Sequence, residues 1–345
     1  MPFVMNVAII GAGSIARAMC KTVRGMKAAG RPVELYAIAS RSLEKAQAFA
    51  QEQGVLKAFG SYEEMLKDPD VHLVYIATPH SHHAEQMKLC IRYGKPILCE
   101  KAFTANLHQA EEVLALAKEK GVYVAEAIWP RYMPSRQMIN DLLAEGAIGE
   151  PRMLYSNLCY AIEDKERIYN PNLAGGALLD LGVYVLNFAS MVFGDDIVRI
   201  NSTVELFETG VDRSETITIK YRNGKMAQLM ASAAFNSDRR CVIYGTKGYL
   251  TVDNVNNPGW IEIFDKDDRV HPIRHIDVPK QITGYEYEVE ACLRDLQAGN
   301  LEPEEMPHDQ TRMMMRQMDA LRAIWHIKFP FEEKSPFTDM AFVEN

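Results

Sequence analysis

Strand and helix alternate in strict turn through the first 128 residues, and that alternation constrains the fold more than any other feature of the chain. VMNVAIIG reads as a buried strand, SIARAMCKTVRGMKAAG as an amphipathic helix closed by glycine, and VELYAIAS as a second strand. SLEKAQAFAQEQG follows as a helix with Ser42 at its N-cap and Gly54 as its stop. After a short helix, SYEEMLKD, the strands VHLVYIAT, PILCE and VYVAEAI are separated by the helices HHAEQMKLCIRYG and NLHQAEEVLALAKEKG. Successive strands that must each cross back through a helix can only pair in parallel. Residues 1–128 therefore predict an α/β fold with a doubly wound parallel sheet.

Beyond Trp129 the rhythm changes. One helix, SRQMINDLLAEG, precedes the strand runs RMLYSNLCYA, IVRINSTVELF, ETITIKY, MAQLMASAAF, RRCVIYG, GYLTVD and WIEIFD. Asn223-Gly224 reads as a two-residue hairpin turn between two of them. These runs predict a second domain, residues 129–330, built on a mainly antiparallel sheet with helices. Residues 331–345 read as a loose tail.

Composition narrows the partners. The 345 residues suit two domains, and a net charge of -8 disfavours nucleic acid and anionic membrane surfaces. No apolar run predicts a membrane span. Six cysteines without C-x-x-C spacing read as reduced thiols of a cytoplasmic protein. The cluster His80 to His83 lacks an acidic or cysteine partner at ligand spacing, so no metal site is expected.

Gly11-Ala12-Gly13-Ser14-Ile15-Ala16 matches G-x-G-x-x-A where the first strand turns into the first helix, the context that gives the pattern meaning. Gly11 suits the tight turn, Gly13 admits a pyrophosphate to the backbone, and Ala16 lets helix and strand pack closely. The helix start at Ser14 and Ile15 presents N–H groups to the phosphates. Residues 1–128 thus read as a dinucleotide-binding domain. An NAD site usually carries a carboxylate at the end of the second strand, whereas this chain has Ser40-Arg41-Ser42. The Arg41 guanidinium suits a 2′-phosphate, which favours NADP, with NAD as the alternative. Thr78-Pro79-His80 and Glu100-Lys101 end the next two strands at the same carboxyl edge, where ligands bind in such folds.

AGGALLDLGVYVLNFA is apolar nearly all round except for Asp180, Tyr184 and Asn187. At about 100° per residue these three fall on one stripe of a buried helix. Polar side chains there need partners or a wet cleft.

Together these residues resemble the family of glucose-fructose oxidoreductase, inositol dehydrogenase and the rhizopine-catabolism proteins, written Gfo/Idh/MocA. The likeness spans about residues 5 to 330 and rests on the glycine turn, ATPHSHHAE, GKPILCEKA, EAIWPRYMP and GGALLDLGVY. EAIWPRYMP and YNPNLAGGALLDLGVY look nearest to the branch of dimeric dihydrodiol dehydrogenases and NADP-dependent aldose dehydrogenases.

The resemblance implies a Rossmann domain, an open-faced C-terminal sheet, and a homodimer or higher homo-oligomer formed through that sheet. It maps the family's E-K-P lysine onto Lys101, its helix aspartate onto Asp180, and its acid/base residue onto Tyr184. Cofactor contacts are expected from Gly11, Gly13, Ser14, Ile15, Ala16, Ser40, Arg41, Thr78, Pro79, His80, His83, Glu100, Lys101, Trp129 and Arg131. Substrate contacts are expected from Lys101, Asp180, Tyr184 and Asn187, with Trp129, Arg131 and Tyr132 at the pocket mouth. Two positions depart from the pattern: Ala102 replaces the usual proline and His80 the usual asparagine.

The chemistry implied is hydride transfer between a nicotinamide and a carbinol or carbonyl carbon of a small neutral aldose or cyclic diol. Within that class a trans-dihydrodiol dehydrogenase is the alternative to an aldose dehydrogenase. A non-catalytic dinucleotide-binding sensor and an NAD-dependent redox glycosidase are the other readings. The first need not keep lysine, aspartate and tyrosine in register, and Arg41 argues against the second.

Overall fold

A computed structural model describes residues 3–332. The chain begins with β1 (Met5–Ile10), α1 (Ser14–Ala28), β2 (Val33–Ala39), α2 (Leu43–Gln53), β3 (Lys57–Phe59) and α3 (Tyr62–Leu66). It continues with β4 (Leu73–Ile76), α4 (His80–Arg92), β5 (Ile97–Glu100), α5 (Leu107–Lys120), β6 (Val124–Ala127) and α6 (Pro134–Ala144). Next come β7 (Pro151–Cys159), the one-turn α7 (Glu166–Tyr169) and α8 (Val183–Phe193). Seven strands follow: β8 (Ile197–Leu206), β9 (Asp212–Tyr221), β10 (Met226–Ser232), β11 (Cys241–Gly245), β12 (Gly248–Val252), β13 (Trp260–Asp265) and β14 (Arg274–Asp277). The helices α9 (Glu286–Ala298) and α10 (His308–Ile324) come last.

The chain forms two compact units, and they cut it differently from a boundary at 128/129. Of the described residues, the first holds those through Tyr132 together with Gln281–Arg312; the second holds Met133–Lys280 and those from Met313. In the first unit six parallel strands lie in the order β3-β2-β1-β4-β5-β6. Ser42 caps α2 by accepting from the Lys45 N–H at 3.3 Å, and Gly54 ends it in the left-handed region. The three-residue edge strand β3 has no apolar run to announce it.

The core gathers Val7 and Ile9 of β1 with Met19, Val23 and Met26 of α1, and α9 adds Val289 and Cys292. At the contact of α1 with the chain entering α9, a Cβ on Gly25 would lie 2.4 Å from Ile282 Cγ2. A contiguous reading of the chain cannot foresee that α9 returns to complete this core.

The second unit carries eight strands in the order β14-β13-β12-β11-β7-β10-β9-β8, antiparallel except for the β7–β10 pair. The β9–β10 hairpin closes at Tyr221 N–H to Lys225 O, so its loop has three residues rather than two, with Gly224 at φ +83°. That is the turn-plus-left-handed-residue form of hairpin. The stretch Pro171–Phe193 is long and apolar enough to cross a bilayer by composition, but it is nearly all buried within the protein, as a core helix is.

The expected tail begins later than Phe331. Glu332 is buried, and its carboxylate takes the Arg322 guanidinium at 3.0 and 2.9 Å, with Asp319 on the same guanidinium at 2.9 Å. A buried guanidinium needs such partners, so it fixes the chain this far. The rest of the proposed tail, 333–345, lies outside the described residues.

Two positions carry measurable consequences. Gly11 has φ +103°, and a Cβ there would stand 2.6 Å from the Ala77 carbonyl oxygen. Gly11→Ala should lower unfolding free energy by about 2–4 kcal/mol, read from urea midpoints; an unchanged midpoint would contradict the packing. Glu126 is buried in β6, and burial pushes its carboxyl up to about 7, while the Thr311 hydroxyl donates to Oε2 at 2.9 Å. Its folded pKa therefore exceeds the unfolded value of about 4.3, so stability present at acid pH is lost as pH rises towards 7. Glu126→Gln removes that loss. The stability of the variant relative to wild type should rise between pH 5 and pH 8 by up to about 3 kcal/mol, and a difference independent of pH would contradict it.

Candidate functional site

In a parallel sheet the strands all end at one edge, so the loops after β1, β2, β4 and β5 line up there. Gly11 closes the turn after β1 against the Ala77 carbonyl, and its Cβ position is 3.1 Å from Thr78 Cγ2. Gly13, at the N-cap of α1, has no protein atom within 4 Å of where a Cβ would stand, and its φ of -89° is open to any residue. The protein's own packing thus requires glycine at 11 but not at 13. A Cβ at 13 would stand in open space beside the start of α1. Ala16 is buried against the sheet. This cradle fits the pyrophosphate of a dinucleotide at a helix N-terminus.

At the end of β2, the Ser40 N–H donates to Phe59 O at 3.2 Å and Arg41 is exposed. The Ser42 hydroxyl is the α2 cap, so Arg41 is the cation this loop offers. Its charge reaches His82 and Tyr62, which places it towards the starts of α4 and α3.

After β4, the Thr78 hydroxyl donates to Gln86 Oε1 at 2.7 Å, Pro79 caps α4, and His80 packs edge-on to His83. His83 is placed differently from a cofactor contact. Its ring is fully enclosed, with Nε2 2.8 Å from Thr78 O and Nδ1 2.9 Å from Ala102 O, and burial pushes it down to about 4. Packed between these two carbonyls, with its single N–H donating to one of them, it fills the gap between the loops that end β4 and β5. The Lys101–Ala102 peptide is cis, and Ala102 is buried. Glu100 receives the Tyr75 hydroxyl on Oε1 and the Lys101 N–H on Oε2 at 3.2 Å. Its carboxylate faces inward while Lys101 stands half-buried at the strand end.

Trp129, Arg131 and Tyr132 are buried rather than set at a rim. Trp129 stacks on Tyr285 with ring centroids 4.4 Å apart, and the Tyr132 hydroxyl donates to Glu126 O at 2.8 Å. Arg131 helps hold the Glu126 carboxyl down against the upward push of burial. The aromatic cluster forms because α9 brings Tyr285 to it, a contact distant in sequence.

In the second unit Asp180 and Tyr184 are buried, and Asp180 Oδ1 takes the Arg167 guanidinium at 2.6 Å. Arg167, on the single-turn α7, has no motif of its own and was not among the expected residues. The stripe of Asp180, Tyr184 and Asn187 also changes. Leu178–Gly182 is a π-type turn, so 100° per residue does not carry from Asp180 to Tyr184. Asn187 Nδ2 donates to Val183 O of its own helix at 2.8 Å. At the start of the π-type turn, the buried Asp212 accepts from the Leu178 N–H. Among the described residues no group of three or more His, Cys, Asp or Glu side chains is arranged to hold a metal ion.

Residues 5–127 match the Gfo/Idh/MocA oxidoreductase family model with NAD-binding Rossmann fold, and residues 137–251 match the family's C-terminal domain. The trans-1,2-dihydrobenzene-1,2-diol dehydrogenase of Mus musculus is 35% identical over 72% of this chain and 75% of its own length. That of Oryctolagus cuniculus is 31% identical over 93% and 99%. Among solved structures, KijD10, a 3-ketoreductase from Actinomadura kijaniata in complex with NADP and TDP-benzene, superposes with a TM-score of 0.83 at 26% identity, covering 93% of this chain and 98% of that one. A glycine turn open to a pyrophosphate, the strand order that goes with it, and relatives alike along nearly the whole chain lead to one assignment: the protein belongs to the Gfo/Idh/MocA family and is an NAD(P)-dependent oxidoreductase.

Proposed function

We propose that the enzyme is NADP-dependent and transfers hydride between the nicotinamide and a carbinol or carbonyl carbon of a small neutral ring bearing hydroxyls. The observation that carries the cofactor reading is exposed Arg41 at the end of β2, where no carboxylate stands. The cofactor, when bound, supplies the hydride chemistry. The amides at the start of α1 hold its pyrophosphate, and Arg41 holds the 2′-phosphate. Tyr184 is the acid/base, keeping or releasing a proton at Oη. Lys101 is assigned as its electrostatic partner, since an ammonium favours phenolate. Asp180, held by Arg167, accepts from a substrate hydroxyl.

The substrate class follows from charge and from the relatives. The guanidinium beside Asp180 is already matched by that carboxylate, so it calls for no anionic substrate. Hydroxyls both donate and accept, which suits tyrosine, lysine and aspartate together. An aldose and a vicinal cyclic diol both meet these terms. The relatives named for a trans-dihydrodiol support the diol as the first substrate to try. A cytoplasmic homo-oligomer formed through the C-terminal sheet completes the proposal.

Arg41→Ala should weaken NADPH binding about ten- to a hundred-fold, as a lost charge-assisted bond does, and leave NADH nearly untouched. Fluorescence titration reads both, and an equal loss would remove Arg41 from phosphate recognition. Gly13→Ala should weaken both nucleotides without moving the melting temperature. Tyr184→Phe should cost about 10²–10⁴-fold in turnover at unchanged NADPH affinity; more than half of wild-type turnover would remove Tyr184 from the mechanism.

A further inference from the structure

The π-type turn that carries Asp180 packs against β9 of its own unit. Gly182 ends that turn with φ -57°, a value any residue adopts, so its dihedrals do not demand glycine. Space is tight instead: a Cβ at 182 would stand 2.8 Å from Glu215 Oε1 and 3.0 Å from Leu178 Cδ1, so one of those side-chain ends would have to shift. Glu215 occupies the volume that a side chain at 182 would need.

Glu215 lies on β9, facing inward with Ile217, Ile219 and Tyr221. Strand alternation alone would send Asp212 to the other face. The pairing of β8 with β9 slips between Glu205↔Ser214 and Leu206↔Asp212, and this irregularity brings Asp212 inward as well. Two carboxyl groups thus seat the turn, Asp212 at Leu178 where it begins and Glu215 at Gly182 where it ends. Asp212 is hydrogen-bonded there. Glu215 is 2% exposed, and neither of its carboxyl oxygens has a hydrogen-bond partner among the described residues. An ionised carboxylate in such a place is very costly, and a neutral acid is much less so. Burial and the field of Asp212 push its carboxyl well up. Its field also acts on Cys159 of β7.

We propose that Glu215 is a positioning residue for the reaction: a buried carboxylic acid wedged beneath Gly182 that keeps the π-type turn open and so sets Asp180 and Tyr184 in phase. The inference rests on the proposed roles of those two residues. Without the wedge the turn can tighten to an α-helical one. Losing the extra residue of the turn rotates Asp180 relative to Tyr184 by about 100°. Shape and neutrality are what the wedge supplies, so glutamine should replace glutamate and alanine should not.

The test is a mutant cycle on the purified enzyme with NADP and its best neutral substrate, backed by amide exchange across residues 178–184. Glu215→Gln should keep turnover within about two-fold of wild type. Glu215→Ala should lose at least ten-fold in kcat at unchanged NADPH affinity, and should alter exchange across the turn. Gly182→Ala should do the same, because its methyl group meets the wedge. The Gly182→Ala, Glu215→Ala double variant should be no worse than either single variant, since removing the wedge makes room for the methyl group, and strict additivity would overturn the proposal. Wild-type turnover in Glu215→Ala, or equal losses in Glu215→Gln and Glu215→Ala, would overturn it too. If Glu215→Ala does not fold, the glutamine and Gly182→Ala variants still decide. If Tyr184→Phe retains turnover, the reading of the site has failed, and the exchange data alone still show whether Glu215 holds the turn.

Discussion

The contact on which the rest of the first unit depends is the approach of Gly11 to the carbonyl of Ala77. It joins the ends of β1 and β4, neighbouring strands whose connections leave on opposite sides of the sheet. This is the switch point where open parallel sheets bind ligands. Because Gly11 has no side chain, the phosphate-facing turn packs directly against Ala77 and Thr78 at the edge the parallel strands share. His83 then ties the loop of Thr78 to Ala102, beside Lys101. The glycine turn, the histidine strut and the lysine thus follow one another along one edge of the sheet.

Buried carboxyl groups recur in each of the two units. Glu126 and Glu288 in the first unit and Asp212 and Glu215 in the second are buried, and burial pushes each carboxyl up. Neither oxygen of Glu288 has a hydrogen-bond partner among the described residues, and Glu100 adds a like charge nearby. Each such group costs stability at neutral pH. Structures keep this kind of cost where a site needs shape or field more than it needs stability.

What was legible in the sequence was what local pattern controls. The doubly wound sheet, the glycine turn, the α2 cap at Ser42 and the apolar core helix each announce themselves within a few residues. The residues that escaped are those whose role is tertiary. Tyr285, at the N-cap of α9 about 150 residues on, stacks on Trp129, and α9 joins a core that the chain had left long before. Arg167 sits on a single turn without periodicity. The π-type turn is the sharpest case: an extra residue in a helix leaves no mark in a mostly apolar stretch, yet it cancels the angular argument that put Asp180 on one stripe with Tyr184 and Asn187. Its trace in sequence was Gly182, whose Cβ position faces Glu215 and Leu178.

The central claim, that this chain is an NADP-linked oxidoreductase of neutral hydroxylated rings, is tested most directly by following nicotinamide absorbance at 340 nm with NADP. The panel would hold a trans-dihydrodiol, xylose, glucose and their phosphorylated counterparts. The account predicts that kcat/KM for a neutral diol or aldose exceeds that for any sugar phosphate or carboxylated sugar by at least a hundred-fold. A sugar phosphate or an acid winning by that margin, or no hydride transfer to NADP from any neutral ring, would contradict it.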